Sequence, residues 1–490
     1  MNLIEKALNK DARSFTREDL LKFAKANGVE IFNFRYVAGD GRLKTLNFTV
    51  NDPKYLDKIL SCGERADGSS LFRSIDASSS DLYVVPRYSS VFINPFSQIP
   101  AMDVICGFYD KDGNPFASSP DNILKKADKR FRDSAGLEMK ALGELEYYVI
   151  SPKNALYPAI AQKGYHESAP FNKWEFLRVE AANLIDRCGG HTKYAHSEVG
   201  FIRTEEQEMS QHEIEFLPQP LLKSAEEIVV SRWILSSLGY KYGVVITFAP
   251  KISVGHAGSG FHIHACLAKN GKNVMLKNKN LSDEAKKVIA GWLKSARSLT
   301  AFGNTVPTSY LRLVPHQEAP INVCWGYRNR SALVRVPLGW NLEKDMVADM
   351  NPQVKKRTGY EGNQTVEFRS ADGSANIYLL LSGLVMAAAH GFEMKDSVNY
   401  AEEHFIDRNV FRKENLEIRE KFPSLPASCA ESADELLKDR EVYEKGGVFP
   451  QPVIDGLVKR LRSYGDKNLS EKLYGKEEDI KKIVEEYLYC

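Results

Sequence analysis

The stretch Gly143-Glu144-Leu145-Glu146-Tyr147-Tyr148 decides the fold, because two carboxylates stand two residues apart around an apolar one. Side chains at i and i+2 of a strand share a face. A strand here aims Glu144 and Glu146 to one side and Leu145 to a core on the other. The spacing recurs twice. In Gly258-Ser259-Gly260-Phe261-His262-Ile263-His264 the pair is His262 and His264 around Ile263, and in Val366-Glu367-Phe368-Arg369 it is Glu367 and Arg369 around Phe368. Glu198 in His196-Ser197-Glu198-Val199 and Glu213 in Gln211-His212-Glu213-Ile214 add two more carboxylates. Any one pair reads equally well as a solvated strand face, since exposed glutamate is common. A buried carboxylate without a partner is costly or turns neutral. Five carboxylates (Glu144, Glu146, Glu198, Glu213, Glu367) and the His262 imidazole, in apolar surroundings, therefore suit divalent Mg2+ or Mn2+. Two such ions suit phosphoryl transfer, where positioning and charge neutralisation do most of the catalysis.

A basic constellation follows. Arg312 lies in Tyr310-Leu311-Arg312-Leu313, and Arg328, Arg330 and Arg335 lie between residues 328 and 337; Arg369 completes the set. Guanidinium grips carboxylate and phosphate with two parallel hydrogen bonds. Cation ligands beside several arginines point to an anionic substrate handled next to a nucleotide. For Arg328 and Arg335 a surface salt-bridge face is the competing reading.

Composition excludes some partners. The 490 residues carry 66 basic and 64 acidic side chains, a net charge of +2, which gives no support for binding nucleic acid or a membrane surface. Seven widely spaced cysteines without a C-x-x-C pair read as reduced thiols. The polar start Met1-Asn2-Leu3-Ile4-Glu5-Lys6 does not read as a signal peptide, and the longest apolar stretch, 377–389, is too short to cross a bilayer. A cytoplasmic protein is expected.

The chain divides into residues 1–117, read as a small and mostly β unit, and residues 118–490. Ile31 to Val37 alternates, Gly39-Asp40-Gly41 turns, and Leu43 to Val50 returns, which predicts a hairpin. Ser118-Ser119-Pro120-Asp121 opens a helix. Residues 118–395 alternate strands and helices. Residues 396–490 read as mainly helical, ending in a segment with Ile480, Ile483, Val484 and Tyr487 on one face.

These motifs, in this order, resemble the glutamine synthetase family, most closely its bacterial type I form. The resemblance rests on Asp67-Gly68-Ser69-Ser70, the Glu144-Leu145-Glu146 strand, Gly258 to His264, Arg312 to Pro320 ending Glu318-Ala319-Pro320, and Glu367-Phe368-Arg369-Ser370. Arg328-Asn329-Arg330-Ser331 strengthens the fourth.

The resemblance implies an α+β architecture: a β-grasp domain over residues 1–117, then a catalytic domain over 118–490 built on a curved antiparallel sheet. It implies a homo-oligomer of stacked hexameric rings, a dodecamer, with active sites between subunits. The implied reaction uses ATP and two or more Mg2+ or Mn2+ ions to join glutamate and ammonium through γ-glutamyl phosphate. By the same resemblance Glu146, Glu198 and Glu213 hold one metal, and Glu144, His262 and Glu367 the other. Arg312 and Gly258 serve the amino-acid end of glutamate. Arg330 and Arg369 neutralise the γ-carboxylate and the phosphoryl group, and His264 and Arg335 touch the nucleotide phosphates. Asp67 attracts and deprotonates ammonium within a cage completed by Ser70, Tyr165 and Glu198, and Glu318 lies on a flap that excludes water.

The chain also departs from the family pattern. Ala257 stands where the family has Asn, Thr365 where a nucleotide-side Arg is common, and the stretch between Glu198 and Glu213 is longer than usual. Asn415-Leu416 is followed by Glu417 and not Tyr, so no adenylylation is expected there. Two alternatives stay open beside glutamine formation: a γ-glutamyl ligase for a larger amine, and a catalytically inactive structural or regulatory relative.

Overall fold

The computed structural model describes all residues except Met1, Asn51, Ser74, 315–318, 340–343 and 357–362; the side chains of Lys413, Leu416 and Ile418 also lie outside it. The amino-terminal part carries a six-stranded sheet. Its order is Leu43–Thr49, Ile31–Val37, Ala101–Tyr109, Asp81–Pro86 and Glu64–Asp67, with Phe92–Ile93 added beside Ala101–Tyr109. The predicted hairpin forms, with Ile31 opposite Thr49 and Val37 opposite Leu43.

This part is not mostly β, as read from the sequence. Helices Leu3–Leu8, Arg17–Ala26 and Pro53–Cys62 accompany the sheet. Local start signals explain two of them. Thr16 and Asp19 form a reciprocal capping box, and Asp52 caps a helix whose first residue is Pro53. Their buried faces, Leu20 and Phe23 on one and Leu56 and Ile59 on the other, join Phe32, Phe34 and Val104 of the sheet in one core.

The second sheet has ten strands. Its main path is Trp325–Tyr327, Val334–Val336, Val366–Phe368, Phe261–Lys269, Glu138–Pro152, Gln207–Phe216 and Thr192–Arg203. Among these neighbours only Trp325–Tyr327 and Val334–Val336 run parallel. Leu145, Ile263 and Phe368 all point into the large core, as their place between polar pairs predicts. Helices Pro120–Ala135, Leu221–Tyr242, Asp283–Lys294 and Ile377–Glu393 close that core. Ile377–Glu393 is apolar nearly all round because it is buried all round. No single described helix is long and apolar enough to cross a membrane.

Helices dominate after residue 396. The last, Glu477–Glu486, lays Ile480 and Val484 against Tyr148, Ile202, Ala249 and Ile252.

Candidate active site

Strand register assembles the site. His262 lies directly opposite Glu144, His264 opposite Glu367, Arg335 opposite Glu367, and Glu213 opposite Glu146. Residues facing each other across an antiparallel pair share a sheet face. Four neighbouring strands thus bring Glu144, Glu146, Glu213, His262, His264 and Glu367 together, and a fifth adds Arg335.

Glu198 arrives by a different device. Pairing of Thr192–Arg203 with Gln207–Phe216 slips between Ser197, opposite His212, and Phe201, opposite Ser210. The first strand spends extra residues there, a bulge that re-aims a side chain. Glu198 sits in it, within hydrogen-bonding reach of Glu213. The hairpin also accounts for the long stretch between the two glutamates, since both strands run on past the site to a turn at residues 204–206.

The contacts are dense. His262 Nδ1 lies 2.9 Å from Glu144 Oε2, and His264 Nε2 lies 2.8 Å from Glu144 Oε1. Arg335 Nη1 donates to Glu367 Oε2 at 2.7 Å, and Arg369 Nη1 donates to Glu367 Oε1. Glu146 Oε2 accepts from Gln211 Nε2 at 3.0 Å and from the Gly260 amide at 2.7 Å.

Electrostatics sort the carboxyls. Burial raises Glu213, and the charges of Glu144, Glu146 and Glu198 push it further, well above the ordinary carboxylate range. Burial also opposes ionisation of Glu144, but the His264 charge and hydrogen bonds from both imidazoles hold it well below that range. Glu367 is buried too, yet Arg369, with His264 and Arg335, brings it down to about 2. His264 is raised because the charge of Glu144 outweighs burial, whereas burial and Arg369 lower His262.

The donor set fits hard divalent cations. Glu144, Glu213 and His262 offer ligand atoms within 4.8 Å of one another, as do Glu144, His264 and Glu367, and also His196, Glu198 and Glu213. Glu213 has the most to gain, since its neighbours are mainly other carboxylates and a cation would relieve all of them. These groupings cut across the two sets implied by the resemblance: Glu144 belongs to two clusters, and Glu146 reaches His262 only at 3.8 Å.

Close backbone approach explains the glycine turn. A Cβ on Gly260 would lie 2.6 Å from both Arg312 Nη2 and His262 Nε2. One on Gly258 would lie 2.5 Å from the Pro250 carbonyl oxygen and 3.1 Å from Arg312 Cγ. Arg312 is buried beneath this turn and donates to the carbonyls of Ser370, at 2.7 Å, and Ala371. Beside it the Ala257 carbonyl accepts from Tyr148 at 2.8 Å.

Tyr165 stands at the rim, half exposed. Its ring stacks on His166 at 4.2 Å and meets His196 edge-on at 5.5 Å, next to Glu198. His264 and Arg335, the residues implied for nucleotide phosphates, are bonded to Glu144 and Glu367 here. Arg330 is exposed after the Trp325–Tyr327 strand and has no hydrogen-bond or ion-pair partner among the described residues. Asp67 and Ser70 are not brought to this face. Asp67 accepts from Ser69 and Ser70 of its own loop, the Ser70 hydroxyl at 2.6 Å, and Ser80 assists. Glu318 lies outside the described residues, as do His316 and Gln317.

Two members of the site were not read from the sequence. Glu215 lies directly opposite Glu144 and binds Lys193 Nζ at 2.6 Å. The i+2 spacing from Glu213, on a strand, was the available signal. His196 Nε2 lies 3.3 Å from Glu213 Oε2. Only the register of the bulged hairpin brings it there.

Comparison with known proteins agrees with this architecture. Residues 28–111 match the model of the glutamine synthetase β-grasp domain and residues 117–464 that of the glutamine synthetase catalytic domain. Glutamine synthetase of Pyrococcus furiosus is 32% identical over 434 residues, covering 88% of this chain and 90% of that protein. Glutamine synthetase of Thermotoga maritima is 29% identical over 442 residues, covering 88% and 92%. Among solved structures, Plasmodium falciparum glutamine synthetase superposes with a TM-score of 0.75 at 20% identity over 93% of this chain and 97% of that one. A GmaS/ADP complex gives 0.74 at 19% identity over 92% and 96%. The chain belongs to the glutamine synthetase family of ligases.

Proposed function

We propose that the protein joins ammonia to the γ-carboxylate of glutamate at the expense of ATP, through γ-glutamyl phosphate, giving glutamine, ADP and phosphate. One observation carries this reading: clusters of divalent-cation ligands share a sheet face with Arg335 and Arg369. Cations held by Glu144, Glu146, Glu198, Glu213, His262 and Glu367 would neutralise the phosphoryl oxygens.

The protein's own groups do the rest. Arg312, under the Gly258–Gly260 turn, takes the α-carboxylate of glutamate. Arg369, with Arg330 once substrate draws it in, offsets charge at the γ-carboxylate and transferring group. His264 and Arg335 exchange part of their hold on Glu144 and Glu367 for the nucleotide phosphates. Hydroxyls of Ser70 and Ser69 hold Asp67 well below the ordinary carboxylate range, so it stays ionised and attracts ammonium. An ionised, weakly basic carboxylate accepts the proton efficiently only after water has been excluded, which is the work assigned to Glu318 and its flap.

Because the partners of Asp67 lie in its own amino-terminal part, the same reading has the loop complete a neighbouring subunit's site. It places the chain in stacked hexameric rings, with the β-grasp domain ending near residue 117, and in the cytoplasm.

Retention of Asp67, Ser70, Tyr165 and Glu198 favours ammonia as the nucleophile over a larger amine. Phosphate release from ATP, measured with glutamate against a panel of amines, tests this. Glutamine formed in step with ADP and phosphate is the expected result. No glutamine at saturating ammonium, with phosphate released in the presence of a larger amine, overturns it.

A further inference from the structure

Away from the carboxylate face lies a cavity of about 800 Å³ between the two sheets' domains. The turn Gly39–Leu43 of the first hairpin roofs it, and helices Leu221–Tyr242 and Gln451–Ser463 supply walls. The segment 488–490 closes another side. The carbonyls of Leu488 and Tyr489 accept from Thr247 and from Arg42 at 2.8 Å, and the terminal carboxylate of Cys490 accepts from Arg232 at 3.2 Å. The volume is that of a small-molecule site.

Four arginines line it: Arg42, Arg73, Arg232 and Arg460. None forms an ion pair with an Asp or Glu side chain among the described residues; Arg460 Nε donates to the Tyr464 hydroxyl at 3.1 Å, and Arg42 to the Tyr489 carbonyl. Of the carboxylates that line it, Asp40 is occupied by Lys44 Nζ at 2.8 Å and by the Arg42 amide, and the terminal carboxylate of Cys490 takes Arg232 at 3.2 Å. Arg232 is held by the Cys490 carboxylate and the carbonyls of Gly373 and Ala375. That leaves Arg42, Arg73 and Arg460 without a carboxylate partner among the described residues, and three such guanidinium groups around one concavity create a positive field. The remaining wall is flat or apolar: Trp233, Phe248, Leu379, Leu457 and Tyr464. Such walls take a ring or an aliphatic body.

Ser69 to Arg73 also lines the cavity. Ser69 and Ser70 are the residues whose hydroxyls hold Asp67. The same two serines that line the cavity therefore hold the Asp67 carboxylate.

We propose that this cavity binds a small organic anion, a phosphate or carboxylate group on a flat apolar body, and that its occupancy orders the Asp67 loop. Binding stands apart from the proposed reaction. Any effect on ammonium use rests on that reading.

The test uses the full-length protein, freed of metals, with phenyl phosphate and phenylacetate as probes and with inorganic phosphate and phenol as controls for each half. Trp233 in the wall reports binding by fluorescence, and Trp233→Phe identifies its share of the signal. One probe should bind saturably, one per chain, and more tightly than either control; which probe wins assigns phosphate or carboxylate. Arg73→Gln and Arg460→Gln should each weaken it about tenfold without lowering the melting temperature. Hydrogen exchange over residues 67–73 should slow when the probe is bound. No saturable binding of either probe overturns the proposal. So does binding that survives both substitutions, or that ATP displaces competitively. Binding without slower exchange in 67–73 overturns the link to the Asp67 loop. Failure of glutamine synthesis leaves these readouts untouched, so the two readings fail separately.

Discussion

Glu146 and Glu213 stand directly opposite each other on neighbouring antiparallel strands, two carboxylates facing the same side of the sheet. Like charges so placed repel. Burial and the charges of Glu144, Glu146 and Glu198 favour the protonated form of Glu213 and raise it well above the ordinary range. A group whose folded pKa lies above its unfolded value stabilises the fold below the unfolded value. That contribution is lost as pH rises through the folded one. The metal-free protein should accordingly lose stability as pH climbs past the ordinary carboxylate range. A divalent cation should reverse the loss while displacing the proton. Calorimetric titration with Mn2+ or Mg2+ in buffers of different ionisation heat should show proton release on binding, and Glu213→Gln should remove it. Heats independent of the buffer would contradict this account.

Glu144 and Glu367 should both prove essential for ligation but differ in their effect on stability. Glu367 is fully buried and binds Arg335 and Arg369. Removing one partner of a buried ion pair typically costs about 3–5 kcal/mol because the other charge is stranded. Glu144 is partly exposed, and its partners are imidazoles that can shed their protons. Glu144→Ala should thus abolish turnover with a modest change in melting temperature, while Glu367→Ala should also melt clearly lower. Near-normal turnover of either variant at saturating metal would refute the role assigned to this face.

The sheet face was legible because its signal is local. Three i+2 pairs around Leu145, Ile263 and Phe368 need only strand periodicity to show which side each residue takes. His196 and the reach of Glu198 to Glu213 depend on a slipped register between two strands, and no single strand encodes that slip. Glu215 was legible by spacing but passed over. The amino-terminal helices were hidden by the prominent hairpin, although Thr16 with Asp19, and Asp52 before Pro53, carried their start signals. The seat of Asp67 could not be read at all, because Ser69, Ser70 and Ser80, which hold it, all lie in the amino-terminal part and nothing in that spacing says which site it serves.

That isolation leads to a complementation test. The proposal that different subunits supply Asp67 and the carboxylate face predicts that Asp67→Ala and Glu367→Gln proteins are each nearly inactive alone. Mixed under conditions that exchange subunits, they should recover a substantial fraction of wild-type turnover, since some mixed interfaces pair two intact halves. Exchange proven by mass labelling with no recovered activity would mean that each site is built within one chain.

A second buried ionic cluster ties the amino-terminal sheet to the catalytic part. Arg87, just after the Asp81–Pro86 strand, binds Asp121 at 3.1 Å and also Glu226, and Lys125 reaches Asp121 at 2.8 Å. Burial opposes ionisation of Asp121, but Lys125 and Arg87 win and lower its pKa. A depressed carboxylate stabilises the fold above its unfolded pKa, and the contribution is lost as pH falls through the folded one. The wild type should hence lose stability below about pH 4, where an ordinary Asp begins to take its proton. Asp121→Asn should be less stable by about 3 kcal/mol at pH 7, and should lose less than the wild type on acidification. Parallel acid melting curves for the two proteins would exclude Asp121 as the titrating group.

The glycine turn separates structure from chemistry most cleanly. At Gly258 an added methyl meets the Pro250 carbonyl, a backbone atom that cannot step aside, at 2.5 Å. At Gly260 it meets Arg312 Nη2 and His262 Nε2, the far ends of side chains, each at 2.6 Å. A clash with backbone distorts the fold, whereas a clash with side-chain ends displaces those ends. Overpacking of this kind typically costs about 1–3 kcal/mol where nothing can move. Gly258→Ala should therefore lower the melting temperature by several degrees. Gly260→Ala should keep most of its stability yet lose turnover, because the same methyl pushes Arg312 and His262 from their places. Its half-saturating glutamate concentration should rise with the displacement of Arg312, and its metal requirement with that of His262. A Gly260→Ala protein that melts early but turns over normally per folded molecule would show that the turn only shapes the fold and does not position these two groups.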